Sequence, residues 1–220
     1  LFLLHSFREG EPWRMEHWEP DGTLTFCSNG TRAAASVLPD GFRGRIQALV
    51  SGERVGLRVD GEAVGLQLPE GSEYGLRPSP LDLEWPHAFG WTGTPHLIVE
   101  VPDVDSVDLP SFAPPLRFHA ALPEGANISI VQILELGRAR IRTWERGVEG
   151  ETLCCGQGCA VAGAWLSERM GTGEWNFRPA GEDAVRISVG GMEGGRWREL
   201  WLAGPVRRIG GFEPDPALLA

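Results

Sequence analysis

One short pattern occurs twice in this chain of 220 residues, and each copy ends just beyond a cysteine. The first copy runs from Met15 to Gly30 around Cys27, and the second runs from Ile141 to Gly158 around a second cysteine. The two cysteines lie 128 positions apart (155 − 27), as do the glycines that follow them (158 − 30). Such a repeat constrains the chain to fold as two halves built on one plan, and its length is sufficient for two domains.

The segments after each cysteine predict the same order of elements in both halves. A helix is predicted first, over 32–38 or 159–166. Three short strands follow in each half, at 45–50, 54–59 and 62–68, and at 174–177, 184–189 and 196–202. The dipeptides Ser51-Gly52 and Asp60-Gly61 are typical of two-residue hairpin turns. A single helix per half with many short strands indicates an α+β fold, in which a curved antiparallel sheet surrounds a central helix.

Two proline-rich stretches, 69–86 and 110–115, lie between the halves. Further strands are predicted at 95–101, 128–134 and 138–144 because these runs are apolar or alternate in polarity.

Charge and composition exclude several classes of function. The net charge of −10 argues against non-specific binding to nucleic acid and to anionic membranes. Every basic side chain is arginine, so the chain cannot form a lysine Schiff base with pyridoxal phosphate or supply the lysine of a phosphate-binding P-loop.

The opening Leu-Phe-Leu-Leu is typical of the middle of a strand and lacks the basic start of a signal peptide. We therefore expect the native protein to have residues upstream of Leu1. No apolar run approaches the roughly 20 residues of a spanning helix, and we expect a cytoplasmic protein.

The four cysteines, at 27, 154, 155 and 159, are too few for a disulfide framework. Zinc is an alternative because Cys155 and Cys159 are four residues apart, but no C-x2-C or H-x3-H pair accompanies them. Cys154 and Cys159 correspond to Phe26 and Thr31 in the first half, so both are predicted to lie in the core or on a helix face.

Cys27 and Cys155 suit a two-base proton transfer. Inverting an α-carbon needs a base on one face and an acid on the other, and one thiolate with one thiol suffices. Each cysteine falls where a strand turns into a helix, whose N-terminus can lower a thiol pKa and whose N–H groups can bind a carboxylate. The alternatives are two inert core cysteines and a redox pair that forms a disulfide across the cleft.

Together, the two cysteine motifs resemble those of the diaminopimelate epimerase family. The motif segments are Pro20-Asp21-Gly22, Cys27 and Asn29-Gly30, then Trp144-Glu145-Arg146-Gly147, Glu151-Thr152, Cys155-Gly156 and Gly158. The similarity covers nearly the whole chain through Thr94-Pro95-His96, Asp103-Val104-Asp105, Pro123-Glu124, Ala126-Asn127-Ile128, Val131-Gln132, Ala203-Gly204-Pro205 and Gly211-Phe212.

The resemblance implies two pseudo-symmetric domains that close over a cleft holding the active site, with the last strand returning to the first domain. On this basis we expect one domain over 1–72 with 205–220, and a second over 73–204. It also implies an isomerase that interconverts LL- and meso-diaminopimelate, for lysine and peptidoglycan precursor synthesis, without a metal or organic cofactor. The expected partner is a small amino acid, and a homodimer is an open alternative.

The same resemblance implies the roles of individual residues. Cys27 and Cys155 would be the acid/base pair. Backbone N–H groups of the two helix starts would hold the reacting carboxylate; these residues are Ser28, Asn29, Gly30, Gly156 and Gln157. Glu145 would bind the ammonium group, and Asn127 and Arg146 the far end of the substrate. His96 lies on the family's Asn-Pro-His motif, where packing and catalysis are equally expected roles.

The chain departs from the family at several substrate-binding positions. Glu19 and Thr94 stand where the family has asparagine, Ser28 replaces glycine, and Gln157 replaces serine or threonine. The second turn is one residue longer than in the family, within Val148-Glu149. A carboxylate at Glu19 would repel the distal carboxylate of diaminopimelate. The departures leave two alternatives, a racemase for an amino acid with a neutral or cationic far end and a binding protein without turnover.

Overall fold

The computed structural model describes residues 2–5, 8, 10–18, 22–38, 42–61, 63–71, 73–181 and 183–207. The first half contains β1 (Phe2–Leu4), β2 (Trp13–His17), α1 (Ser28–Ala35), β3 (Gly44–Val50), β4 (Glu53–Asp60) and β5 (Ala63–Gln67). The rest contains β6 (Tyr74–Arg77), β7 (His87–Thr92), β8 (Pro95–Glu100), a 3-10 turn (Val104–Ser106), α2 (Leu109–Arg117), β9 (Asn127–Glu135), β10 (Arg138–Glu145), β11 (Gly150–Thr152), α3 (Gly156–Met170), β12 (Glu174–Arg178), β13 (Val185–Glu193) and β14 (Arg196–Pro205).

The order of the strands repeats the duplication seen in the sequence. The hydrogen-bonded path runs β1-β2-β3-β4-β5-β14-β13-β12-β10-β9-β8-β7-β6, with β11 paired to β10. Read outward from the β5–β14 pair, each strand of the first half has a counterpart in the second. β2 is parallel to β3, as β10 is to β12. The two predicted meanders are therefore confirmed, as is the mixed α+β class with one cysteine helix in each half.

The two halves join through the antiparallel ladder between β14 and β5, in which Leu202 lies opposite Leu66. The sheet is consequently continuous in hydrogen bonding from one half to the other, and three of its pairings are parallel. The division into 1–72 with 205–220 and 73–204 stays a prediction.

Helix α3 lies at the centre of the second half and is buried on nearly all sides. Its sequence explains this position, because small residues let sheet side chains approach the helix axis closely. A Cβ on Gly163 would lie 2.6 Å from Cγ2 of Ile187, and a Cβ on Gly90 of β7 would lie 2.6 Å from Cγ1 of Val161. Gly171, in the left-handed conformation, ends the helix.

Helix α2 shows that the prediction of one helix per half was wrong. It includes Pro110 in its first turn, where a missing N–H costs nothing, but also Pro114 and Pro115 in its interior. Packing outweighs the cost of these two interior prolines, because Leu109 and Ala113 are buried in a hydrophobic cluster with side chains of strands β8 and β9. The sequence also missed β6, which lies inside the first proline-rich stretch. Among the described residues, no helix combines the length and apolar character needed to cross a membrane.

Candidate active site

Cys27 and Cys155 occupy the same structural position at the start of their helices. Each is the N-cap residue, with an extended backbone (φ −119° and −105°). The Cys27 sulfur accepts a hydrogen bond from the N–H of Gly30 at 3.3 Å, and the Cys155 sulfur accepts one from Gly158 at 3.4 Å. A sulfur therefore does at both helices what a serine or aspartate oxygen usually does at an N-cap.

The N-termini of α1 and α3 contact each other. The side-chain amide of Asn29 donates a hydrogen bond to the carbonyl oxygen of Cys154 at 3.2 Å. A Cβ built on Gly156 would lie 3.0 Å from Oδ1 of Asn29 and 3.2 Å from Oγ of Ser28. The fold thus brings together the two helix starts, which are over one hundred residues apart in sequence, and Gly156 is required for this approach.

The environment of Cys155 keeps its proton in place. Its side chain is only 8% exposed, and burial raises the pKa of the thiol above its usual range. The negative charge of Glu145 raises it further, while hydrogen bonds from the N–H groups of Gly158 and Gln157 act in the opposite direction. Cys155 is therefore a thiol, not a thiolate, at neutral pH.

A chain of polar contacts connects four of the predicted residues beside α3. The hydroxyl of Thr94 lies 3.1 Å from Nε2 of His96, and the Asn127 amide nitrogen lies 3.4 Å from the same atom. Oδ1 of Asn127 accepts the backbone N–H of Arg146 at 2.8 Å. The guanidinium of Arg146 donates to the carbonyl oxygen of Glu124 at 3.0 Å and forms no ion pair within the described part of the chain.

His96 is a neutral, fully buried member of this chain of contacts. Burial, with a smaller contribution from the charge of Arg146, lowers the pKa of His96 to about 3. Its Nδ1 is buried and has no hydrogen-bond partner among the residues that the structure describes. The hydrogen-bonding contacts of the ring within the described chain are with Thr94 and Asn127.

We expect His96 to make the fold sensitive to acid. A histidine in the unfolded chain has a pKa of about 6.5, so the unfolded state takes up the proton first. Stability is therefore lost as the pH falls from about 6.5 towards 3. The free energy of unfolding is measured in urea near pH 7.5 and near pH 5. Between these pH values we expect it to fall by about 2 kcal/mol more in the native chain than in a His96→Gln variant. Equal losses in the two proteins would contradict this role.

The remaining predicted residues surround the start of α3, with one exception. Glu145 accepts a hydrogen bond from the hydroxyl of Thr152 at 2.5 Å, which orients its carboxylate. The amide of Gln157 donates to the carbonyl oxygen of Thr92 at 2.9 Å, close to Thr94. Glu19 lies outside the described residues.

The turn after Glu145 is held by side chains that the sequence pattern did not predict. Glu149 accepts hydrogen bonds from Nη2 of Arg117 at 2.8 Å and from the N–H of Gly147 at 3.0 Å. Its φ of 51° is uncommon for a residue other than glycine. The extra residue within 148–149 was visible in the sequence and marked this turn as unusual. Arg117, which binds Glu149, lies 32 positions away on a helix that the sequence did not predict.

All four cysteines lie in the described part of the chain, and none forms a disulfide. Groups of three or more His, Cys, Asp or Glu side chains placed to bind a metal ion do not occur among the residues that the structure describes.

Comparison with known proteins gives consistent matches. The family model for diaminopimelate epimerase matches residues 90–188. The chain is 32% identical over 197 residues to the diaminopimelate epimerase of Gemmatimonas aurantiaca, which covers 86% of this chain and 69% of that protein. It is 32% identical over 220 residues to the enzyme of the same name from Chlorobaculum tepidum, which covers 95% of this chain and 82% of that protein.

The fold also matches solved structures. A Bacillus anthracis phenazine biosynthesis protein of the PhzF family superposes with a TM-score of 0.61 at 16% identity, covering 94% of this chain and 82% of that one. The likeness at this identity concerns the fold alone, and it agrees with the duplicated α+β architecture. Two diaminopimelate epimerases are each more than 30% identical to this chain, and the matches cover more than two thirds of their lengths. The chain therefore belongs to the diaminopimelate epimerase family.

Proposed function

We propose that this protein inverts the α-carbon of an amino acid with Cys27 and Cys155 as its acid/base pair, and that its substrate is LL- or meso-diaminopimelate. The observation that carries the proposal is the meeting of two helix N-termini, each capped by a cysteine sulfur. One capping cysteine comes from each half, and we propose that the two thiols face the substrate from opposite sides, as a two-base inversion requires.

The reacting carboxylate is proposed to bind at the two helix starts. Backbone N–H groups in the first turns of α1 and α3 have no partner inside their helices, and they carry the positive end of the helix dipole. Ser28 and Asn29 are proposed to contribute these groups from one side, and Gly156 and Gln157 from the other, while Gly30 shapes the first turn through its N–H bond to the Cys27 sulfur. As the α-proton leaves, negative charge grows on the carboxylate, and the same N–H groups stabilise it.

The protonation of Cys155 suggests the order of events. Because Cys155 holds its proton, we infer that Cys27 removes the α-proton while Cys155 donates one to the opposite face. The electron pair of the broken C–H bond stays on the substrate as an enediolate and then forms the new C–H bond. One proton enters and one leaves, so the proposed reaction needs no metal or organic cofactor.

Three further side chains are proposed to bind the rest of the substrate. Glu145, held by Thr152, is placed to pair with the α-ammonium group. Arg146 offers a guanidinium without an ion pair among the described residues, and Asn127 lies next to its backbone. These two suit the distal carboxylate, with Thr94 beside Asn127.

Exchange of the α-proton in D2O tests the proposal. The reduced protein would be incubated with LL- and meso-diaminopimelate and the common L-amino acids, and deuterium uptake followed by NMR. We expect deuterium to enter diaminopimelate together with conversion between its isomers. The absence of exchange in every compound, with a folded and reduced protein, would contradict the assignment and favour a binding protein without turnover.

The alternative substrate is an amino acid with a neutral or cationic far end, which the departures Glu19, Thr94 and Gln157 favour. If Glu19 lies at the distal subsite, its carboxylate repels a distal carboxylate. We then expect Glu19→Asn to raise kcat/KM for diaminopimelate roughly fivefold, because one close like-charge contact contributes on the order of 1 kcal/mol. Steady-state kinetics with both substrates measures this. An unchanged kcat/KM would show that Glu19 does not set specificity.

We also propose a cytoplasmic protein, because its cysteines form no disulfide in the described chain and the chemistry needs reduced thiols. A homodimer stays open and is testable by sedimentation.

A further inference from the structure

A hollow on the side of the α1–α3 contact contains a cysteine that the proposed reaction does not use. It has a volume of about 430 Å3, and its lining includes Asn29, Arg32, Cys154 and Asp183, but neither Cys27 nor Cys155. This volume lies within the range of small-molecule sites. Cys154 is half-buried and forms part of the wall of this hollow.

Cys154 differs chemically from the two cysteines that follow it on α3. A hydrogen bond from the Cys159 thiol lowers the pKa of Cys154, burial opposes this, and the charge of Arg32 supports it. The pKa values of Cys155 and Cys159 are both raised. Within this segment, Cys154 is therefore the thiol with the most thiolate character, which is the nucleophilic form.

Arg32 supplies a positive charge that no carboxylate of the described residues neutralises. Its side chain is 6% exposed, and its Nε and Nη2 donate to the carbonyl oxygens of Val64 and Pro205, both at 3.1 Å. It forms no ion pair within the described ranges, and Asp183, the acidic residue among the described residues of the lining, is paired with Arg207 at 2.9 Å. A buried guanidinium without a counter-charge favours an anionic occupant.

The geometry points to Cys154 as a site of reversible modification by small anionic disulfides, with Arg32 attracting a carboxylate of the incoming molecule. In the reaction, the Cys154 thiolate attacks one sulfur of the disulfide. A new sulfur–sulfur bond forms, the original one breaks, and the departing thiolate takes a proton from water. The adduct fills the hollow next to Asn29, whose amide binds the Cys154 carbonyl.

Mass spectrometry of the reduced protein after incubation with glutathione disulfide tests this site. The Cys27→Ser variant, which retains a capping oxygen on α1, removes the competing thiol of the other helix. Trypsin then places the three remaining cysteines in one peptide, Gly147 to Arg169, and fragmentation identifies the modified residue. We expect one glutathionyl group on Cys154, lost again with dithiothreitol and absent in Cys154→Ser. No adduct, or an adduct on Cys155 or Cys159 instead, would overturn the assignment.

The role of Arg32 is tested without altering it. The rate of adduct formation is measured with glutathione disulfide and with the cationic disulfide cystamine. Each rate is divided by the rate of the same reagent with the urea-unfolded protein. We expect the anionic probe to be favoured roughly tenfold at low salt, and this preference to shrink at high salt. Equal relative rates would overturn the anionic class of the ligand. The mass readout needs no epimerase activity, so its failure is distinguishable from failure of the proposed function.

Discussion

Replacing either capping cysteine by serine is expected to abolish inversion while leaving the fold intact. Serine is a favourable N-cap residue, and its oxygen can accept the N–H of Gly30 or Gly158 as the sulfur does. A hydroxyl is far too weak an acid to exchange a proton with the substrate at neutral pH. We expect Cys27→Ser and Cys155→Ser each to lower kcat/KM for inversion roughly 10²–10⁴-fold, with urea unfolding midpoints near that of the native chain.

The chain supplies a matched control for this experiment. Cys159 is buried on α3, the helix that Cys155 caps, and has no role in the proposed reaction. Cys159→Ala should therefore retain activity. Inversion is measured by polarimetry or by separating the isomers, alongside deuterium exchange. If either serine variant inverted the substrate at near the native rate, the two-base mechanism would be wrong for this protein.

Arg146→Gln is expected to weaken binding of a substrate whose far end is a carboxylate. The guanidinium is half-buried, is held in place through Glu124, and has no ion pair in the described chain. Charge-assisted hydrogen bonds contribute about 1.5–3 kcal/mol each, so kcat/KM for diaminopimelate should fall roughly 10- to 100-fold. We expect this fall to come mostly from a higher KM and not from a lower kcat, because the distal end of the substrate does not change charge during the reaction.

Two comparisons separate this effect from a general loss of stability. Arg138 lies at the start of β10, the strand that ends just before Arg146, and is largely exposed in a surface pair with Glu135, so Arg138→Gln should leave kinetics unchanged. A substrate analogue without the distal carboxylate should be processed equally by the native protein and by Arg146→Gln. A similar loss with that analogue would mean that Arg146 acts on the turn around Glu145 and not on the distal group.

The repeat in the sequence predicted more of the fold than its local propensities did. The matching cysteines and glycines implied two equivalent helix starts, and both are present as sulfur N-caps. Local rules failed at α2, where proline argued against a helix that burial of Leu109 and Ala113 nevertheless stabilises. Strand β6 was missed because proline-rich composition says little about a short strand whose partner, β7, follows a long turn.

The sequence alone determined the chemistry that the chain can offer. Two thiols at equivalent strand–helix junctions, glycines after them and the absence of lysine are properties of the residues themselves. Propensity and capping act within a few residues, so these features were accessible without coordinates.

Only the tertiary structure decided how those groups act, because their environments are created by segments distant in the chain. Burial and Glu145 keep Cys155 protonated, Thr94 and Asn127 enclose His96, and Gly156 contacts Asn29 across the two halves. Desolvation and charge depend on which groups surround an atom in space. The residue order does not specify that until long-range packing has placed α1 against α3.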